Sequence, residues 1–330
     1  MSFAFDFDLL RELTEARGVP GYEDDVREIV RRELGETADR VRTDAMGNVV
    51  GTVEGDSDYS VVVAAHMDEI GFMVRHVTED GFVKVDPLGG FDPRVLRAQR
   101  VTVHGEADLT GVIGSVPPHT LTEEQRETTD AVSDVFIDLG RDAEAVEKLV
   151  GVGDVVTLDQ TTTRMGDRIT GKALDDRICL FAAVEAAKRI EDPAVTIHFA
   201  ATVQEEVGLR GATALGVDVD PDLAIALDVT VANDVPQIGD AADAVTKLGA
   251  GTAIKLKDAS VITNPKVHKR LTALAEREEI DHQHEVLPAG GTDTAGFQTT
   301  AGAKPVGAIS IPTRYLHTVT ETADGGDVVA

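Results

Sequence analysis

Apolar positions fall into two textures along the chain, and the change between them divides it. Leu9, Leu10 and Leu13 recur at helical spacing until Gly18-Val-Pro-Gly21 breaks the run. Val26, Ile29, Val30 and Leu34 then mark one face of a second helix. Short extended runs follow at 48–53 and 60–65, the second leading into His66. From about Phe72 to Asp159 short β-type runs alternate with turn residues, at 82–86, 100–104, 111–115 and 154–158, around a polar, exposed loop from Thr120 to Asp134. After Thr170 helices and strands alternate. Helices are predicted over 176–190, 211–215 and 265–279, and apolar strands over 195–203, 223–227 and 306–311. Continuous apolar strands between helices predict an α/β fold, a mostly parallel sheet with helices on both faces. The β-rich middle predicts a small barrel-like domain inserted into it, so residues 1–71 and 165–330 form one domain around an insert of residues 72–164.

Composition adds limits. No apolar stretch approaches the ~20 residues that cross a membrane, and the opening Met-Ser-Phe-Ala-Phe-Asp-Phe-Asp lacks a basic signal-peptide start. The expectation is a cytoplasmic protein without a membrane partner. Asp and Glu number 59 against 31 Lys plus Arg, a net charge of -28, with 10 Lys and 21 Arg. The acids are spread along the whole chain, which predicts a uniformly acidic surface best tolerated in strong salt, as in a halophilic archaeon. No basic stripe exists to neutralise phosphates, so nucleic acid is not expected as a partner. The single cysteine, Cys179, leaves no intramolecular disulfide and no Cys-rich metal site, and its apolar helical surroundings predict a small buried thiol.

Polar residues punctuate this pattern at strand ends. His66 follows its strand, Glu205 and Glu206 come just after theirs, Asp228 follows its own, and His317 lies shortly past the last. Asp175 sits in a polar break, Lys172-Ala-Leu-Asp-Asp176, before a helix. Singly, each is better explained as a cap, a hydrogen-bonded residue or a surface group. Together they place two imidazoles and several carboxylates at the carboxyl edge of one sheet, where α/β folds bind ligands. Such a donor set suits Zn, Co or Mn and is a poor match for Ca or Mg. Two neighbouring cations need a shared carboxylate, and hydrolysis needs a further carboxylate that binds no metal. The adjacent Glu205 and Glu206 allow one of the two to ligate and the other to act as base. Asp68, two residues past His66, is a candidate acceptor for the imidazole's second ring proton.

The segments 19–23 (Val-Pro-Gly-Tyr-Glu), 44–48, 65–71 (Ala-His-Met-Asp-Glu-Ile-Gly), 111–119, 171–177 (Gly-Lys-Ala-Leu-Asp-Asp-Arg), 203–208, 290–293 and 315–317 resemble, in order, those of the M42 metallo-aminopeptidases, the group that includes the archaeal tetrahedral peptidases. The resemblance implies a zinc-peptidase-like fold and two divalent metal ions per subunit, Zn or Co foremost, with Mn as a further option. Asp175 would bridge them, with His66 and Asp228 completing one and Glu206 and His317 the other. Glu205 would be the general base of a metal-bridged hydroxide attack, with Asp68 orienting His66. Gly290, Gly291, Thr292 and Asp293 would line the pocket for the N-terminal residue of a short peptide. The insert would be a dimerisation domain, and dimers would build a homododecamer. Family members usually continue with a further helix after the segment at 317–321, whereas this sequence stops at Ala330, where that helix would begin.

Three other readings compete. A metal-dependent deacylase of small amides would share the mechanism and differ in the pocket. A glycoside hydrolase of endoglucanase type needs two carboxylates across a sugar ring, has no use for two metal-ligating histidines, and would favour aromatic platforms that a chain with no Trp and three Tyr lacks. A non-catalytic scaffold would have lost Glu205 or a ligand, and none is lost.

Overall fold

The computed structural model describes residues 4–123, 131–238 and 244–330. The two N-terminal apolar faces fold as helices Phe7–Glu15 and Asp24–Gly35, each burying its predicted stripe. The Asp6 carboxylate starts the first helix by accepting the Asp8 and Leu9 backbone N–H groups. Strands β1 (Arg40–Thr43), β2 (Val49–Val53) and β3 (Ser60–His66) then open a sheet that the chain leaves.

Among the described residues six strands make the insert: β4 (Gly71–Val77), β5 (Val83–Leu88), β6 (Arg100–His104), β7 (Asp108–Ile113), β8 (Phe136–Asp138) and β9 (Val155–Leu158). They close into an antiparallel barrel in the order β4-β5-β8-β7-β6-β9. Alternate residues point inward, Val83 and Val85 on one strand and Val101 and Val103 on another, giving an apolar interior. Closure leaves no free sheet edge. Within the Thr120–Asp134 loop most described residues are exposed, and residues 124–130 lie outside the described set.

The chain rejoins the first sheet through β10 (Thr163–Met165) and β11 (Arg168–Gly171). It completes the sheet with β12 (Thr196–Thr202), β13 (Leu223–Val231), β14 (Thr252–Lys257), β15 (His282–Val286), β16 (Val306–Arg314) and β17 (Glu321–Asp324). The eleven strands run β1-β2-β12-β3-β13-β16-β17-β11-β10, with β14 beside β16 and β15 beside β14. The central run β12-β3-β13-β16 is parallel, antiparallel neighbours flank it, and β14 and β15 form a second parallel pair beyond β16. Both faces are covered. Ala65, Ala201 and Val229 pack with helix Leu174–Ala187 on one side, and Ala64, Ala200 and Ala224 face helices Arg210–Val219 and Asp293–Gln298 on the other. Among the described residues no helix is long and apolar enough to cross a membrane.

Two strand ends differ from the apolar pattern. Asp228 does not follow its strand but lies inside β13, because pairing with β16 continues from Asp228↔Ser310 to Val231↔Thr313. His66 is the last residue of β3 instead of the first beyond it. Hydropathy ends a strand where polarity begins, whereas the hydrogen-bond ladder does not.

Candidate metal centre

Parallel register brings the polar residues together. Thr202 of β12 lies opposite His66 of β3, and Ala226 of β13 lies opposite Ala64, so Asp228 and His66 each sit two residues further along. Glu205 and Glu206 occupy the turn after β12. His317 lies three residues beyond β16, with its backbone in the left-handed region at φ 59°. Asp175 and Asp176 fall within the first turn of helix Leu174–Ala187 but have non-helical dihedrals, so regular helix starts only after them. The polar break seen in the sequence is therefore a real interruption, and it turns both aspartates toward the sheet edge.

Asp175 stands between two imidazoles. Its Oδ1 is 3.2 Å from His66 Nε2, and its Oδ2 is 3.5 Å from His317 Nε2. Glu206 Oε1 is 4.0 Å from the same His317 nitrogen. Candidate ligand atoms of His66, Asp175 and Glu206 lie within 4.8 Å of one another, as do those of His66, Asp176 and Asp228. Asp176 is a residue that strand-end reasoning missed. It is fully buried, accepts the His66 backbone N–H at 3.1 Å, and leaves Oδ1 without a hydrogen-bond partner among the described residues. Its only sequence signal is adjacency to Asp175.

The groups that aim these side chains are themselves held. His66 Nδ1 is 3.0 Å from the Asp68 carbonyl oxygen and 3.5 Å from that residue's carboxylate. The Asp68 carboxylate instead accepts the backbone N–H groups of Glu205 and Glu206, each at 3.0 Å, and so fixes the turn that presents both glutamates. His317 Nδ1 is 2.7 Å from the carbonyl oxygen of Gly90, just past β5 of the barrel. The insert thus reaches the centre. Its chain passes close there because Gly89 adopts φ +95°, and a Cβ at Gly89 would come within 2.5 Å of the Ile70 side chain. Glu321, also missed, accepts the backbone N–H groups of Asp175 and His317.

Of the glycine-rich loop, Gly290 and Gly291 are exposed, while Thr292 and Asp293 are buried. Thr292 caps helix Asp293–Gln298, and the Asp293 carboxylate accepts the Thr202 hydroxyl at the end of β12. The loop therefore runs from solvent to the carboxylate cluster.

Crowded acids dominate the electrostatics. Burial pushes Glu205 well above the usual carboxylate range, with His66 opposing and Asp228, Asp293 and Glu206 reinforcing. Burial and the neighbouring Asp175 push Glu206 up to about 7. Burial likewise raises Asp228, against His66. Burial would raise Asp175 too, but the His317 and His66 rings outweigh it and hold it below the usual range. Contact with Asp175 raises His317 to about 10 against the effect of burial. Acids this close ionise together far more readily when cations join them, and the mixed imidazole–carboxylate set is suited to binding metal. The residues fit a pair of divalent cations.

Comparison with known proteins agrees. A family model described as M42 glutamyl aminopeptidase matches residues 47–330. The lysyl aminopeptidase of Pyrococcus furiosus is 36% identical over 331 residues, covering 98% of this chain and 93% of that protein. The TET aminopeptidase from the marine sediment archaeon Thaumarchaeota archaeon SCGC AB-539-E09 superposes with a TM-score of 0.94 at 35% identity, over 98% of this chain and 92% of that one. The TET1 peptidase of Pyrococcus horikoshii, which can assemble into a tetrahedron or a large octahedral shell, superposes with a TM-score of 0.87 at 34% identity, over 98% and 95%.

Proposed function

This chain belongs to the M42 family of metallo-aminopeptidases, which are hydrolases, and on that premise we propose that it removes N-terminal residues from short peptides at a centre of two divalent cations, with Glu205 as general base. The observation that carries the reading is Asp175, whose two carboxylate oxygens face two different imidazoles at 3.2 and 3.5 Å. A carboxylate so placed is shaped to be shared. His66 and Asp228 would hold one cation beside it, and Glu206 and His317 would hold the other. Zn or Co suits these donors, with Mn also compatible.

Two such cations, when bound, supply Lewis acidity and make a nearby water easier to deprotonate. Glu205, whose buried carboxylate has a heightened proton affinity, takes the proton from the water that attacks the amide carbonyl. It then returns that proton to the leaving amine. Asp68 keeps Glu205 and Glu206 diverging from one anchored turn. The loop from Gly290 to Asp293 lines the pocket for the substrate's N-terminal residue. Cleavage of a sugar by two carboxylates would leave both imidazoles beside Asp175 without a role.

Catalysis is assigned to residues 1–71 and 165–330, and subunit pairing to residues 72–164. Val112, Val116, Phe136 and Val152 are exposed apolar residues on that insert, which supports a dimer contact there. Dimers would assemble into a dodecameric tetrahedral shell, and the tetrahedron that the Pyrococcus horikoshii peptidase can form supports a closed shell of this kind. The acidic surface supports assembly that strengthens with salt.

The test is a panel of aminoacyl chromogenic amides beside soluble cellulose, run with and without chelator and across salt concentrations. Amide hydrolysis should vanish on chelation and return with Zn, Co or Mn. Hydrolysis indifferent to chelator, or release of sugar in place of amine, would overturn the reading.

A further inference from the structure

Glu321 stands at the start of β17 with a relative exposure of 2%. Its Oε2 accepts the backbone N–H of Asp175 at 3.1 Å, and its Oε1 accepts that of His317 at 2.9 Å. Each oxygen is thus hydrogen-bonded to the backbone of a different residue that faces the centre. Glu321 itself is fixed from the far side, because it pairs with Gly171 of β11 while the next residue, Thr322, pairs with Arg314 of β16.

Neither backbone it grips has a regular ladder of its own. Asp175 has ψ 105° at the head of a helix, and His317 has φ 59°, a conformation disfavoured for a residue with a Cβ. The His317 ring is steadied at Nδ1 by Gly90, and its main chain by Glu321. Across the site Asp68 makes the equivalent arrangement, one carboxylate on the N–H groups of Glu205 and Glu206. The centre is framed by two such clamps, one under the glutamate pair and one under Asp175 and His317.

We infer that Glu321 is a positioning residue, a buried carboxylate that sets the separation of Asp175 and His317 and so shapes the half of the centre formed with Glu206. The inference rests on the two-cation reading. It concerns how tightly and in what geometry that half binds, not the chemistry of the amide.

Glu321→Gln keeps the volume and one accepting oxygen but turns an NH2 group toward one of the two N–H donors. The experiment is a cobalt titration of metal-free wild type and variant, followed by visible absorption and by metal content, with kcat and KM for an aminoacyl amide. The first equivalent, which also uses Asp175, should weaken less than the second, and the second should weaken by about 10- to 100-fold. With subsaturating cobalt kcat should fall and then recover in excess cobalt, while KM stays within about twofold. A purely structural role would lower the melting temperature of the metal-free protein and leave the ratio of the two affinities unchanged, which overturns the inference. Two cobalt ions bound with wild-type affinities overturn it as well. Should Glu321→Gln not fold, Glu321→Asp carries the test, since it keeps the charge and loses reach. An unchanged second affinity there has the same meaning. A wild type that binds no cobalt would instead overturn the two-cation reading.

Discussion

Between Phe72 and Leu158 the buried side chains are Phe, Val, Leu and Ile, with Thr157 the one polar residue among those described. The sheet buries His66, Asp68, Glu69, Asp176, Arg177 and Lys255, with further acids around them. The barrel is held by removal of apolar area from water, a force with no direction and little dependence on pH. The sheet accepts the desolvation of many charges, and each must be offset by a partner. Arg177 donates to the carbonyls of Leu13 at 2.6 Å and Ala16 at 3.1 Å, and Lys172 meets Glu69 at 2.6 Å. Lys255 meets Glu285 and lies 3.6 Å from Asp258. The candidate centre lies where burial is costly, and the barrel reaches it through the carbonyl of Gly90.

The largest expected effect lies on the charged side. Glu205→Gln should lower turnover by roughly 10²- to 10⁴-fold while metal content and melting temperature hold, because a buried acid becomes a neutral amide of the same shape. Near-normal turnover in a fully loaded variant would remove Glu205 from the role of base. Next come two variants of similar cost and different character. Lys255→Met leaves Glu285 and Asp258 buried without their cation and should cost about 3–5 kcal/mol. Ile137→Ala, in the barrel interior, should cost about 2–5 kcal/mol. Denaturant titrations with compensating substitutions separate them. Adding Asp258→Asn and Glu285→Gln to Lys255→Met should recover part of its deficit, because the uncompensated buried charges are removed with their partner, whereas the Ile137→Ala deficit is a lost volume that no change of charge restores. A triple variant no more stable than Lys255→Met would erase the distinction between the regions.

The smallest effect concerns Asp327, whose carboxylate accepts the N–H groups of Gly249 at 2.7 Å and Gly251 at 2.8 Å and is pushed up to about 6, chiefly by burial. A raised acid binds its proton more tightly folded than unfolded. Its destabilising effect is therefore absent below the unfolded value of 3.8 and grows until the pH passes about 6. Asp327→Asn should flatten that part of the stability profile by less than about 2 kcal/mol. An unaltered slope between those limits would show that other acids set it.

Much of this organisation was legible in the sequence. The β-branched runs ending at His66 and before Glu205 marked central strands, and a polar residue at the end of an apolar run is conspicuous. Edge strands were not legible. Arg-Val-Arg-Thr at 40–43, Thr-Arg-Met at 163–165 and His-Gln-His-Glu-Val at 282–286 form strands because a neighbour offers a ladder, and little in their own polarity requires it. Asp176 and Glu321 were hidden for a related reason. Their work is to accept backbone N–H groups, and no spacing rule singles out a carboxylate that holds another residue's main chain. Asp68 does face the His66 ring, through its carbonyl at 3.0 Å and its carboxylate at 3.5 Å, but no spacing showed that the same carboxylate also holds the backbone of Glu205 and Glu206.

The barrel's place in the chain has a kinetic consequence. His66 and Asp175 meet across 109 intervening sequence steps, a long closure for an unfolded chain. Strands β4 and β9 pair directly, Phe72 opposite Val156, so a folded barrel delivers its two ends side by side. Most of the contour separating the two halves of the centre is then already enclosed. Early folding of the insert would shorten the effective contact order of the candidate metal centre and speed its assembly.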